Sequence, residues 1–149
     1  MLTKTLMHST TQMQTMDGKG DHMIPVVFIN CKEIPFVDLI MQDKKIFETR
    51  NRNTLGALVG RRVLIAETGH GKPVVRCSAE FHKPTVVHEK QWWEWFREST
   101  CVTNGSKHDW NDNTKCKWLY PIGYVEPVEP FVPQEGKRHG RVWMEYEEV

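Results

Sequence analysis

Along the chain the spacing of apolar and polar positions changes several times, and each change marks a candidate element. Ile24-Pro25-Val26-Val27-Phe28-Ile29 is a β-branched and aromatic run and predicts a first strand. Pro35 suits the first turn of a helix, and Phe36, Val37, Leu39, Ile40 and Met41 follow as an apolar stripe at helical spacing. Gln42-Asp43-Lys44 turns the chain into an extended Ile46–Arg50, and Gly56 and Gly60 punctuate a loop. Arg61–Glu67 carries the clearest strand pattern. Gly69-His70-Gly71-Lys72-Pro73 is turn chemistry, and Val74–Phe81 returns as the partner strand.

From Glu89 to Glu98 the period lengthens. Trp92, Trp95 and Phe96 fall at i, i+3 and i+4 and predict a short amphipathic helix, with Trp95 and Phe96 packed inward and Trp93 and Trp110 on the surface. Asn104–Asn113 is polar and looped, and Lys117–Tyr120 starts a strand that continues past Pro121 toward Val125. Three prolines between Val125 and Pro133 argue against a central strand or a helix and predict an extended surface connection. Gly136–Gly140 reads as a turn, and Arg141–Tyr146 alternates as a closing strand. Several short strands, two or more short helices and frequent turns define an α+β, mainly β domain built as a small barrel. Residues 1–22 sustain no period and are expected to be a disordered tail, leaving 23–149 as the folded domain.

Composition adds limits. A 149-residue chain with 39% hydrophobic and 26% charged residues is one globular domain with an adequate core. The net charge of +1 excludes little, but charge is unevenly distributed. Met41–Arg76 holds eight basic and three acidic residues, whereas Tyr120–Val149 holds three basic and six acidic ones. A basic and an acidic side are one outcome; a mixed solvated surface is the other. The four cysteines form no C-x-x-C pair, and the histidines have no ligand spacing, so neither a metal nor another cofactor is expected. No apolar run is long enough to span a membrane, and no signal peptide is visible, so the expected location is the cytoplasm with free thiols.

The chemistry concentrates in Lys44-Lys45-Ile46-Phe47-Glu48-Thr49-Arg50. On an extended segment Ile46, Glu48 and Arg50 share one face, and Phe47 and Thr49 share the other. An acid and a guanidinium two residues apart on one face line a cleft or guard an exposed edge strand. A resemblance of this segment to a base-binding family, carried by Lys45, Glu48 and Arg50, implies a cleft that needs phosphate neutralisation, a stacking platform and a polar edge reader. Lys44, Lys45, Arg52, Arg61 and Lys72 are candidates for the first, and Trp92, Trp93, Trp95, Trp110 or Tyr120 for the second. Glu48 suits the third, since carboxylates accept from the exocyclic amine of cytosine. His70 and His108 are expected on loop surfaces.

The order of strand, short helix, Lys45-x-x-Glu48-x-Arg50 and then Gly60-Arg61-Arg62-Val63-Leu64-Ile65 resembles the ASCH family, whose signature is G-x-K-x-x-E-x-R followed by a glycine-led apolar strand. Asp43 stands where that family has glycine. Trp118-Leu119-Tyr120, the Pro-rich passage, Gly136, Gly140 and Val142-Trp143 resemble its ending. The resemblance implies a PUA-like barrel whose cleft faces RNA, DNA or nucleosides. The expected partner is RNA or a modified nucleoside, with DNA as an alternative. Lys45, Glu48, Arg50, Arg52, Arg61, Lys72 and Trp93 are the ligand-binding candidates.

Some small ASCH proteins also hydrolyse the acyl group from N4-acetylcytidine, with a Lys and a Thr in this segment and a Glu from a later helix. On that amidohydrolase alternative Lys45 and Glu48 are the catalytic candidates, and Glu94 or Glu98 the later carboxylate. Glu48 occupies the family's Thr position, with Thr49 one residue away. A third alternative is a protein-interaction module in transcriptional or translational control that uses the Pro-rich segment.

Overall fold

Strand β1, Met23–Asn30, explains itself by being buried on both faces. Val27 and Ile29 enter the main hydrophobic core, while Val26 and Phe28 enter a second, smaller one with Ala66, Val75 and Met144. A continuous apolar run is what a strand covered on two sides requires. β1 pairs in parallel with β3 (Arg62–Thr68) and antiparallel with β8 (Trp143–Glu147). The computed structural model describes residues 23–140 and 142–147; the expected 1–22 tail and Arg141 lie outside them.

Parallel partners need a crossover. Here it contains helix α1 (Phe36–Met41), strand β2 (Phe47–Arg50) and a 3₁₀ turn at Gly56–Leu58. Strand β4 (Val74–Phe81) follows β3 as an antiparallel hairpin, and β5 (Thr85–Val87) leads to helix α2 (Lys90–Thr100). Strand β6 (Lys117–Phe131), β7 (Lys137–His139) and β8 complete the chain. The hydrogen-bonded path runs β2-β6-β4-β3-β1-β8-β7, with β5 on β6. Among the described residues the fold is therefore α+β and mainly β with two α-helices, as expected, but the path is open and no ladder joins β2 to β7. Among the described residues no helix is long and apolar enough to cross a membrane.

Two expectations need correction. The Pro-rich passage is extended and exposed as expected, but it is not a connection: up to Phe131 it is the second half of the 15-residue β6. The first half pairs with β2 and β5, and the second pairs with β4 alone, through register shifts at Val75/Cys77 and Ser78/Glu80. A strand with one partner has donors it does not need, so Pro127 is tolerated opposite Cys77. Likewise Lys137–His139, expected within a turn, is a short strand on β8. Gly69 has φ of +104° and packs so closely on Lys32 that a Cβ would sit 2.8 Å from the Lys32 amide nitrogen. This close approach ties the β3–β4 turn to the end of β1, beside the site described next.

Candidate functional site

Helix α2 fixes the geometry of the Lys45–Arg50 segment from one side. The Ile46 amide donates to the Ser99 carbonyl at 3.0 Å, and the buried Lys45 Nζ donates to the Thr100 carbonyl at 2.8 Å. Phe47 packs edge-to-face on Phe96. On the other side β2 pairs with β6, with Glu48 opposite Tyr120. The Tyr120 hydroxyl donates to Asn53 Oδ1 at 2.6 Å and accepts from the Leu55 amide at 3.2 Å, so the chain leaving β2 is pinned as well.

These anchors leave Glu48 buried, at 6% exposure, between two cations. Arg50 Nε donates to Glu48 Oε2 at 2.9 Å, and Lys45 Nζ lies 3.6 Å from Oε1. Arg50 Nη2 donates to the Phe28 carbonyl oxygen at 3.3 Å. Lys45 is 2% exposed, and its ammonium also lies 4.4 Å from the centre of the Phe36 ring. Burial pulls its pKa below the usual lysine value, with Glu48 acting in the opposite sense. Buried charges of this kind need both pairing and hydrogen bonds to be tolerated.

The three charged groups line a cavity of about 410 Å³ between β1, α1, β2, the end of β3 and the loop that follows α2. Its size is that of a small-molecule site. Phe36 and His108 supply an aromatic wall, with ring centroids 5.1 Å apart and edge-to-face. Asn30, Thr49 and Thr68 add polar groups. Thr49 was expected on the face away from Glu48, yet it lines the same cavity. Glu94 and Glu98 are exposed and outside it; Glu94 pairs with Lys90 and Arg97.

The other sequence candidates fall elsewhere. Arg52, Arg61 and Lys72 are exposed and lie outside the cavity wall. Trp93 is fully buried and cannot be a stacking platform, whereas Trp95 is 73% exposed and stacks on Trp92. Trp110 is partly buried against the core. The inward stripe of α2 is therefore Trp93, Phe96 and Thr100, one residue out of phase with the expectation. The phase is set by Asp109, which accepts from Trp93 Nε1 at 2.7 Å and so makes a buried indole affordable. Asp109 also accepts from the Gly105 and Trp110 amides. Nor is His108 a loop-surface residue: the same knot of bonds carries it into the cavity wall. His70 Nε2 donates to the Cys31 carbonyl oxygen at 2.9 Å and plays a structural part. Among the described residues no group of three or more His, Cys, Asp or Glu gathers to hold a metal ion.

The fold is ASCH-like. ASCH from Zymomonas mobilis superposes with a TM-score of 0.59 at 20% identity, covering 74% of this chain and 73% of that one. A serine-to-alanine variant of the same protein gives 0.59 and 21%, over 74% and 75% of the two chains. A tyrosine-to-phenylalanine variant gives 0.58 and 20%, over 72% and 73%. No family model matches the chain, and no curated protein does.

Proposed function

We propose that this ASCH-type domain binds a nucleobase of RNA, or a modified nucleoside, in the cleft lined by Lys45, Glu48 and Arg50. The observation that carries this reading is the buried Lys45–Glu48–Arg50 cluster set into a cavity of about 410 Å³ with an aromatic wall. A carboxylate and a guanidinium side by side present an acceptor next to donors. That is the complement of a base edge with an exocyclic amine beside a carbonyl or ring nitrogen. Among the described residues Glu48 Oε1 has Lys45 Nζ at 3.6 Å, and most of the Arg50 fork is uncommitted. Arg52, Arg61 and Lys72 then meet the phosphates of a longer strand.

The test is binding of cytidine and of a short single-stranded RNA to the wild type and to Arg50→Lys, which keeps the charge and loses the fork. Cytidine affinity should drop about tenfold in the variant, as expected for one bidentate contact. RNA affinity should fall steeply between about 50 and 200 mM salt. Absence of binding, or equal binding by the variant, refutes the reading.

A second reading, hydrolysis of N4-acylated cytidine, is favoured by one observation: Thr49 shares the cavity with Lys45 and Glu48. A lysine whose pKa burial lowers gives up its proton more readily than an exposed one. Release of acetate from N4-acetylcytidine, lost in Thr49→Val and Glu48→Gln, would establish it. The protein-interaction alternative rests on the exposed Pro-rich segment, which is the second half of strand β6 with Pro127 and Pro130 exposed.

A further inference from the structure

His108 is held in an unusual way. Every hydrogen bond that places it goes through its backbone. Its amide donates to Ser106 Oγ at 3.3 Å, and its carbonyl accepts from Lys117 Nζ at 2.9 Å. Next to it Asp109 ties the loop to Trp93, Gly105 and Trp110. The imidazole, by contrast, has no hydrogen-bond partner among the described residues, and its Nε2 is buried. Two other histidines commit a ring nitrogen to the fold, His70 at the Cys31 carbonyl and His139 at Glu145.

A buried polar atom without a partner is costly and calls for an explanation. Aromatic packing explains the position of the ring beside Phe36, but phenylalanine would serve there without leaving a nitrogen unpaired. The ring lines the same cavity as Glu48 and Arg50. Burial, with Lys107 next to it, holds the imidazole pKa below its ordinary 6.5. It is therefore neutral at physiological pH, with one donor and one acceptor nitrogen.

Resting on the nucleobase reading of the cleft, we propose that His108 is a second polar reader of the bound base: its imidazole forms a hydrogen bond to the ligand that Glu48 and Arg50 hold. The cleft then reads a planar heterocycle along two stretches of its rim, one charged and one neutral. The fold fixes the backbone of residue 108 and, among the described residues, commits neither ring nitrogen to a hydrogen bond.

The experiment uses the full chain, ¹⁵N-labelled, with cytidine, guanosine and N4-acetylcytidine as probes. Backbone amides of Lys45–Arg50 report entry into the cleft, and the His108 ring nitrogens report contact with the imidazole. Both sets should move together for the base that is bound. His108→Phe keeps the aromatic wall and should lose about tenfold in affinity for that base. His108→Gln, with a donor and an acceptor of its own, should recover part of the loss. Thermal unfolding of both variants separates a folding defect from a binding defect. Amide shifts with still ring nitrogens, or a folded His108→Phe that binds within twofold of wild type, would overturn the role of His108 and leave the cleft reading standing. Stillness of both sets with every probe would overturn the cleft reading, and the proposal with it.

Discussion

Removing the carboxylate of Glu48 is the most informative perturbation of the cluster. It lies 3.6 Å from Lys45 Nζ and 2.9 Å from Arg50 Nε. At an effective dielectric of about 20 these separations correspond to roughly 5 and 6 kcal/mol of gross Coulomb attraction. Much of that offsets the desolvation of three charges, and the net value of the cluster is far smaller. Glu48→Gln keeps the shape and removes the charge, so Lys45, 2% exposed, stays desolvated with only the Thr100 carbonyl and the Phe36 ring as partners. Breaking a buried pair from one side costs about 3–5 kcal/mol. For a domain of this size 3 kcal/mol lowers Tm by roughly 10 °C. Lys45→Met removes the buried cation, fills its space and leaves the Glu48–Arg50 bond intact, so it should cost no more than about 1–2 kcal/mol, mainly for the Thr100 carbonyl. The double variant should be more stable than Glu48→Gln alone. Urea unfolding near pH 7.5 on the four proteins gives these differences. If Glu48→Gln costs no more than Lys45→Met, or the double variant is no better than Glu48→Gln, Lys45 does not depend on Glu48 for its charge and the reasoning fails.

Other expectations follow from the same structure. Lys45 has a pKa lowered by burial from its ordinary 10.5. The unfolded chain therefore binds more protons in the window just below 10.5, and stability due to this residue rises with pH there. Wild type should gain on Lys45→Met as unfolding is measured at increasing pH toward 10. For Asp109, burial favours the neutral acid, but hydrogen bonds from Gly105, Trp93 and Trp110, with Arg97 nearby, hold its pKa below the ordinary 3.8. Its contribution is complete above that value and is lost as pH falls through the lower folded value. Asp109→Asn should cost about 2–3 kcal/mol near neutrality, and the gap to wild type should narrow in acid denaturation below roughly pH 4. Trp93→Ala should cost about 3–5 kcal/mol, whereas exposed Trp95→Ala should stay within about 1 kcal/mol; equal costs in thermal melts would contradict the observed phase of α2.

Several elements were legible because their signals are local. Val74–Phe81 is β4 at the expected bounds, and the strand spacing of Glu48 and Arg50 placed them together in the cleft. The failures share a physical cause, which is dependence on distant partners. Trp92, Trp93, Trp95 and Phe96 fit more than one helical phase, and the choice is made by Asp109, nine residues beyond the helix end. Prolines in β6 look forbidding until it is known that the second half of the strand has β4 as its single partner. Thr49 faces the cavity although simple alternation turns it away, because the cavity wraps the end of a four-residue strand. His108 belongs to a polar loop whose sequence gives no hint of a cavity, and hydrogen bonds to Lys117 and around Asp109 bring it there.

The most direct test of the central claim is an NMR titration of residues 23–149 with cytidine, N4-acetylcytidine and a short single-stranded RNA, following the Lys44–Arg50 amides and the acetyl signal together. A base-binding cleft predicts saturable shifts at that strand with the acetyl group intact. Loss of the acetyl signal would move the protein to the hydrolase reading. Unchanged amides with all three ligands would contradict the account.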